Sequence, residues 1–190
     1  MKNKTEKFLS VRDMVLCALF AALIAAGAFI RVPLPYVPFT LQFLFTNLAG
    51  LLLGKKRGLI AVCLYIIIGL SGIPVFTQGG GLAYIFQPSF GYIVGFAFGT
   101  YFTGLIAERS AKSLKCVMLA GFAGFLAMFV FGLAHLYLIM NFYLATPIGV
   151  WKTIVIGFLP FAPGDTLIVI VSAFFVKRLG PVVSKQINAA

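Results

Sequence analysis

The stretch KTIVIGFLPFAPGDTLIVIVSAFFVK, residues 152–177, is an apolar run with a lysine at each end and one acidic residue inside it, Asp165. A run of this length can cross a hydrocarbon core of about 30 Å as a helix. An ionisable side chain at such depth costs at least about 2.5–3.5 kcal/mol on insertion scales, so it normally faces a protein interior, a partner or a ligand. Asp165 is also the one carboxylate of the chain that does not sit beside a basic cluster. Pro160 and Pro163 should break the helix and restart it near Pro163, a favoured first-turn residue. From Asp165 to Lys177 a helix rises about 18 Å. With Lys177 at the cytoplasmic face, the carboxylate then lies past the midplane toward the outside, the depth of a site entered from outside. Interrupted helices at that depth can hold small polar solutes.

The rest of the chain agrees with a membrane reading. Of 190 residues, 62% are hydrophobic and only 10% charged, with a mean hydropathy of +1.08, far from the composition of a soluble domain. The pattern predicts an all-α integral membrane protein, a compact bundle of six transmembrane helices over roughly 11–30, 39–54, 58–72, 88–107, 115–142 and 152–178, forming a single domain over 1–190. The net charge of +11 is a topological signal rather than a nucleic-acid footprint, because the basic residues are confined to short connections. Lys2, Lys4, Lys7, Arg12, Lys55, Lys56, Arg57, Arg109, Lys112, Lys115, Lys177, Arg178 and Lys185 fall on one side, and only Arg31 and Lys152 on the other. The positive-inside rule therefore places both termini in the cytoplasm. The first apolar run reaches Ile30 without a cleavage site followed by a polar domain, and reads as a span rather than a signal peptide. Cys17, Cys63 and Cys116 show no CxxC pairing and read as packing residues.

The second and third spans are short. Gly54-Lys55-Lys56-Arg57-Gly58 joins them as a tight cytoplasmic hairpin, which leaves room on the outer side. Two outward segments, Arg31 to Pro38 and Gly72 to Gln87, are rich in Pro and Gly and poor in charge. Irregular backbone near membrane depth is tolerated only where protein or a cavity covers it, so both are expected to fold inward over a substrate pocket. Arg31, Thr40, Gln42, Asn47, Gln78, Tyr84, Gln87, Tyr92 and Asp165 are the polar groups on that side, among Phe39, Phe76, Phe86 and Phe90. Such a mixture suits an apolar small molecule with a few fixed polar groups. For Asn47 and Gln87, hydrogen bonding between helices is the favoured role.

Other motifs limit the mechanism. Gly50-Leu-Leu-Leu-Gly54-Lys55-Lys56 has three residues between its glycines and no Ser or Thr after Lys55, so it is not a phosphate loop. Uphill transport would draw on an ion gradient or a separate ATPase. His135 is expected to bond a backbone carbonyl. No Ser–His, Cys–His or paired-carboxylate arrangement points to catalysis, and no cofactor or metal in this chain is expected. In the first span Ala18, Ala22 and Ala26, with Ala21 and Ala25 beside them, form rows of small residues at helical spacing. Such rows admit close approach of another helix, whether of a partner chain or of this protein's own bundle.

Five segments carry a family resemblance: Val37-Pro-Phe-Thr-Leu-Gln42, Ala49 to Gly58, Gly69-Leu-Ser-Gly-Ile-Pro-Val-Phe76, Gly91-Tyr-Ile-Val-Gly-Phe96 and Pro160-Phe-Ala-Pro-Gly-Asp165. In order and spacing the chain resembles the biotin-specific substrate-binding subunits, or S components, of energy-coupling factor (ECF) transporters, the BioY family. The resemblance implies a bacterial cell-membrane subunit that captures biotin outside and docks onto a transmembrane coupling protein bearing two ATPases. The alanine row, Ala18, Ala22 and Ala26, is implied as the docking face, and ATP is used by the partners alone. An S component for another carboxylated cofactor such as lipoate, or a structural subunit without ligand, is the alternative.

For the implied ligand, Asp165 accepts from the ureido N–H groups, Tyr92, Gln42 and Gln78 are candidate donors, and Tyr84, Phe39 and Thr40 complete the walls. Arg31 or backbone N–H groups meet the valerate carboxylate. The chain departs from the family at Ile168, where relatives commonly carry Lys, and at Ser89-Phe90, where they often have Thr-Gly. The Lys that would balance Asp165 is therefore missing, which leaves either Arg31 or another group as counter-charge, or a protonated carboxyl in the unliganded site.

Overall fold

The computed structural model describes residues 9–110 and 113–188, with the side chains of Ser110 and 179–188 left out. Lys2, Lys4, Lys7 and Lys112, used above for topology, lie outside the described residues, as does the side chain of Lys185. Helix α1 (Val11–Phe29) starts at a capping box in which Ser10 Oγ accepts from Asp13 N–H and the Asp13 carboxylate accepts from Ser10 N–H, both at 3.2 Å. Such boxes satisfy two of the free donors at a helix start. After Phe29 the chain forms a short antiparallel ladder, β1 (Arg31–Val32) with β2 (Phe39–Thr40), in register Arg31 to Thr40 and Val32 to Phe39. Helix α2 spans Gln42–Leu70 but is interrupted at Gly54, whose φ of 79° and ψ of −179° are not helical.

That one residue makes a hairpin. A straight helix would separate Gln42 from Tyr65 by about 34 Å, yet Gln42 Nε2 donates to Tyr65 Oη at 2.6 Å. The expected five-residue connection is thus a single-residue turn. Its second arm restarts at once because Glu108 captures it: Lys55 N–H donates to Glu108 Oε1 at 2.9 Å, and Lys55 Nζ lies 3.2 Å from Oε2. Arg57 pairs with Asp13 at 2.9 Å and fixes the turn to the start of α1.

Helix α3 (Phe90–Ser110) follows a 3-10 turn over Leu82–Phe86. Helix α4 (Leu114–Leu138), capped by Ser113 accepting from Cys116 N–H at 3.2 Å, runs into a π turn at Ile139–Tyr143. The α3–α4 contact is close because it is made by glycines. A Cβ on Gly99 would lie 2.7 Å from the carbonyl oxygen of Gly124, and one on Gly95 would lie 2.6 Å from that of Met128. Small residues that let backbones meet are the usual means of helix association in lipid. The last span is broken into α5 (Val150–Gly157) and α6 (Ala162–Asn188), bent by 50° at the expected Pro160–Pro163 region. Helices α1, α3 and α4, the two arms of α2 and the α5–α6 pair make up the six-helix membrane fold, whose core is packed with Phe43, Tyr65, Phe76, Phe96, Phe125 and Phe129.

Candidate ligand-binding site

The short α2 arms leave their outer ends beneath the two Pro/Gly-rich segments, and a cavity opens there. The space in and around it comes to about 470 Å³, its open mouth included. The β1–β2 connection and β2 supply Val37, Pro38, Phe39 and Thr40; α2 supplies Gln42 and Phe43. The second outer segment gives Thr77, Tyr84 and Ser89; α3 gives Tyr92, Ile93 and Phe96; α4 gives Met128 and Phe129; the α5–α6 break gives Phe161 and Asp165. The aromatic walls interlock. Phe39 stacks on Phe161 at 6.3 Å between centroids, and Tyr92 meets Phe129 edge-on at 5.9 Å. A Cβ on Gly164 would lie 2.7 Å from the Phe39 ring, so the glycine before Asp165 is what lets that ring close down.

The polar wall is pre-oriented. Thr40 Oγ1 donates to Gln42 Oε1 at 3.2 Å, Gln42 Nε2 donates to Tyr65 Oη, and Tyr65 donates onward to the Val75 carbonyl at 3.4 Å. The Gln42 amide is therefore fixed with one N–H still to give. Thr77, Tyr84 and Ser89 form a second chain of hydroxyls at 2.8 and 3.3 Å. Asp165 is only 4% exposed, and none of the hydrogen bonds or ion pairs among the described residues engages its carboxylate. Its position in the first turn of α6 sets it at the positive end of that helix dipole. A buried acceptor with two free oxygens, facing a cavity with donors opposite, can hold a solute that presents N–H groups.

Of the residues singled out from the sequence, Asp165, Tyr92, Gln42, Tyr84, Phe39 and Thr40 line this cavity, and Gln78 and Arg31 do not. Gln78 is exposed. Arg31 is exposed and its guanidinium donates to the Thr77 carbonyl, which ties the two outer segments together. It does not supply a counter-charge to Asp165. Ile168, where the Lys would stand, is buried in the apolar core. Tyr92 lines the cavity, but its O–H is already given to the Gly157 carbonyl at 2.7 Å, so it anchors the end of α5. His135 Nε2 contacts the Gln87 carbonyl at 3.2 Å. Asn47, expected to bridge helices, has no partner for either side-chain atom. Ser89, noted above only as a departure from the family, lines the cavity too, and sequence reasoning missed Thr77, Met128, Phe129 and Phe161. Phe161 stands inside the Pro-Phe-Ala-Pro-Gly-Asp segment and was legible there; the others carry no local signal. Among the described residues no group of three or more His, Cys, Asp or Glu side chains could hold a metal.

Comparison with known proteins places this geometry in context. The profile of the BioY family matches residues 1–185. A probable biotin transporter BioY of Lysinibacillus sphaericus is 40% identical over 171 residues, covering 90% of this chain and 87% of the relative. The biotin transporter BioY of Thermotoga maritima is 36% identical over 170 residues, covering 89% and 96%. The crystal structure of the S-component for biotin from an ECF-type ABC transporter superposes with a TM-score of 0.78 at 25% identity, over 95% of both chains. Matched along nearly its whole length in sequence and in fold, the chain belongs to the BioY family.

Proposed function

We propose that this multi-pass membrane protein is the biotin-binding S component of an ECF-type importer. The observation that carries the reading is the buried, unpartnered carboxylate of Asp165 on the wall of an outer-side cavity. Biotin's ureido ring has two N–H donors and one carbonyl on an otherwise apolar bicycle. Asp165 accepts from the N–H groups, and the free N–H of Gln42 or a hydroxyl of Ser89 or Tyr84 donates to the carbonyl. The bicycle and valerate chain lie against Phe39, Phe129 and Phe161. The valerate carboxylate points to the mouth.

Delivery uses the outer face of α1. Ala18, Ala22 and Ala26 are exposed while Ala21 is buried and Ala25 is half-buried, so the first row faces away from the protein's own bundle. It offers a strip on which a coupling protein bearing two ATPases docks from within the bacterial cell membrane, with both termini of this chain cytoplasmic. The chain itself needs no cofactor, and ATP is consumed by its partners. Isothermal titration of the detergent-solubilised protein with biotin tests the reading. Saturable heat at micromolar or lower concentration is expected, with lipoate failing to compete; absence of heat, or displacement by lipoate at equal concentration, rejects it.

A further inference from the structure

The break between α5 and α6 leaves a backbone carbonyl over. In an unbroken helix the Gly157 carbonyl would accept from the Phe161 N–H four residues on. Here Phe161 N–H donates instead to the Phe158 carbonyl at 3.1 Å, and Ala162 N–H donates to the same oxygen at 2.9 Å. Tyr92 of α3, only 7% exposed, takes up the Gly157 carbonyl by donating its O–H at 2.7 Å. Two glycines shape the slot for this phenol. A Cβ on Gly157 would lie 2.7 Å from Tyr92 Oη, and one on Gly132 of α4 would overlap the ring. The ring itself packs against Phe129 and Phe161, at 5.9 and 6.3 Å between centroids.

From that clamp a short run of backbone bonds leads to the carboxylate. Phe158 follows Gly157 directly, its carbonyl holds Phe161 and Ala162, and the Phe161 carbonyl accepts from Asp165 N–H at 2.9 Å. Tyr92 is tied to the opposite wall as well, because its N–H donates to the Ser89 carbonyl at 3.1 Å and Ser89 lines the cavity. We propose that Tyr92 is a positioning residue rather than a donor to the solute: by clamping Gly157 it fixes the α5–α6 break and so sets where the Asp165 carboxylate stands in the cavity. Its single O–H is already given, which leaves none for a ligand. A buried carbonyl stripped of its donor is destabilising, so without this O–H the break relaxes and Asp165 moves with it. The proposal rests on the biotin-binding reading, in which Asp165 accepts from the ureido ring.

Isothermal titration of the full-length, detergent-solubilised protein with biotin tests this in Tyr92→Phe, Asp165→Asn, Gly157→Ala and the two doubles that contain Tyr92→Phe. Tyr92→Phe keeps the ring and removes the clamp, and is expected to raise Kd roughly 5- to 20-fold. In the Asp165→Asn background, where the charged acceptor is gone, the same change should cost no more than about twofold. Gly157→Ala crowds the phenol from the far side, so it should weaken binding by itself and add little to Tyr92→Phe. A wild-type Kd in Tyr92→Phe, or losses that multiply in either double, overturns the proposal, because a general loosening of the fold or a direct bond from Tyr92 to biotin costs the same factor in every background. Should Gly157→Ala fail to fold, the cycle with Asp165→Asn decides alone. A wild type that does not bind biotin overturns the parent reading and this one together, whereas binding with multiplying losses overturns this one only.

Discussion

Asp165 combines depth, burial and free acceptor capacity in one side chain. Replacing it with Asn keeps the shape and one acceptor but removes the charge. A charge-assisted hydrogen bond contributes about 1.5–3 kcal/mol, so Asp165→Asn is expected to weaken biotin binding roughly 10- to 100-fold; an unchanged Kd by titration calorimetry would remove Asp165 from the site. Tyr65 acts one step back. It does not line the cavity, yet it fixes the Gln42 amide, so Tyr65→Phe should weaken binding several-fold while thermal stability stays close to wild type. Asp165 was legible in the sequence because one charge in an apolar run has few explanations. Arg31 and Gln78 were not excluded by it, since composition does not say which side of a loop turns inward. Asn47 was expected to bridge helices, but its side chain finds no partner and packs beside Gly121 of α4, a neighbour far away in sequence that no local pattern reveals.

At the scale of elements, the bundle depends on how the chain reverses. Gly54 holds a backbone conformation accessible essentially to glycine alone, and a Cβ there would lie 2.5 Å from Glu108 Oε1. Gly54→Ala is expected to destabilise the fold by about 1–3 kcal/mol, read as a lower midpoint in thermal unfolding, whereas Glu108→Gln should cost less because its ion pair is half exposed. The long helices were legible because uninterrupted apolar runs leave the backbone no other way to satisfy itself in lipid. The β1–β2 ladder was not, since two-residue strands are too short to show alternation. Nor was the π turn after α4, which continues an apolar run without any change in composition.

For the whole molecule, the proposed capture site and the proposed docking strip are separate. The cavity opens among the outer segments, and the alanine row lies along the opposite, outward surface of α1. Ala22→Leu should therefore leave biotin affinity intact and abolish co-purification with the coupling protein and its ATPases; retention of the complex would move the docking face elsewhere. The helical membrane bundle could be read directly from the sequence, because it follows from transfer energies summed over many residues. Which polar residues converge could not, because convergence depends on the angles at Gly54 and at the α5–α6 break.

The bond from Arg31 to the Thr77 carbonyl fastens one roof panel to the other. If this clasp couples the two segments, a bound molecule is expected to leave faster when the bond is removed. Arg31→Ala should accelerate biotin release in a chase with unlabelled biotin by a larger factor than it raises the equilibrium Kd, and an unaltered off-rate would mean the roof is hinged elsewhere.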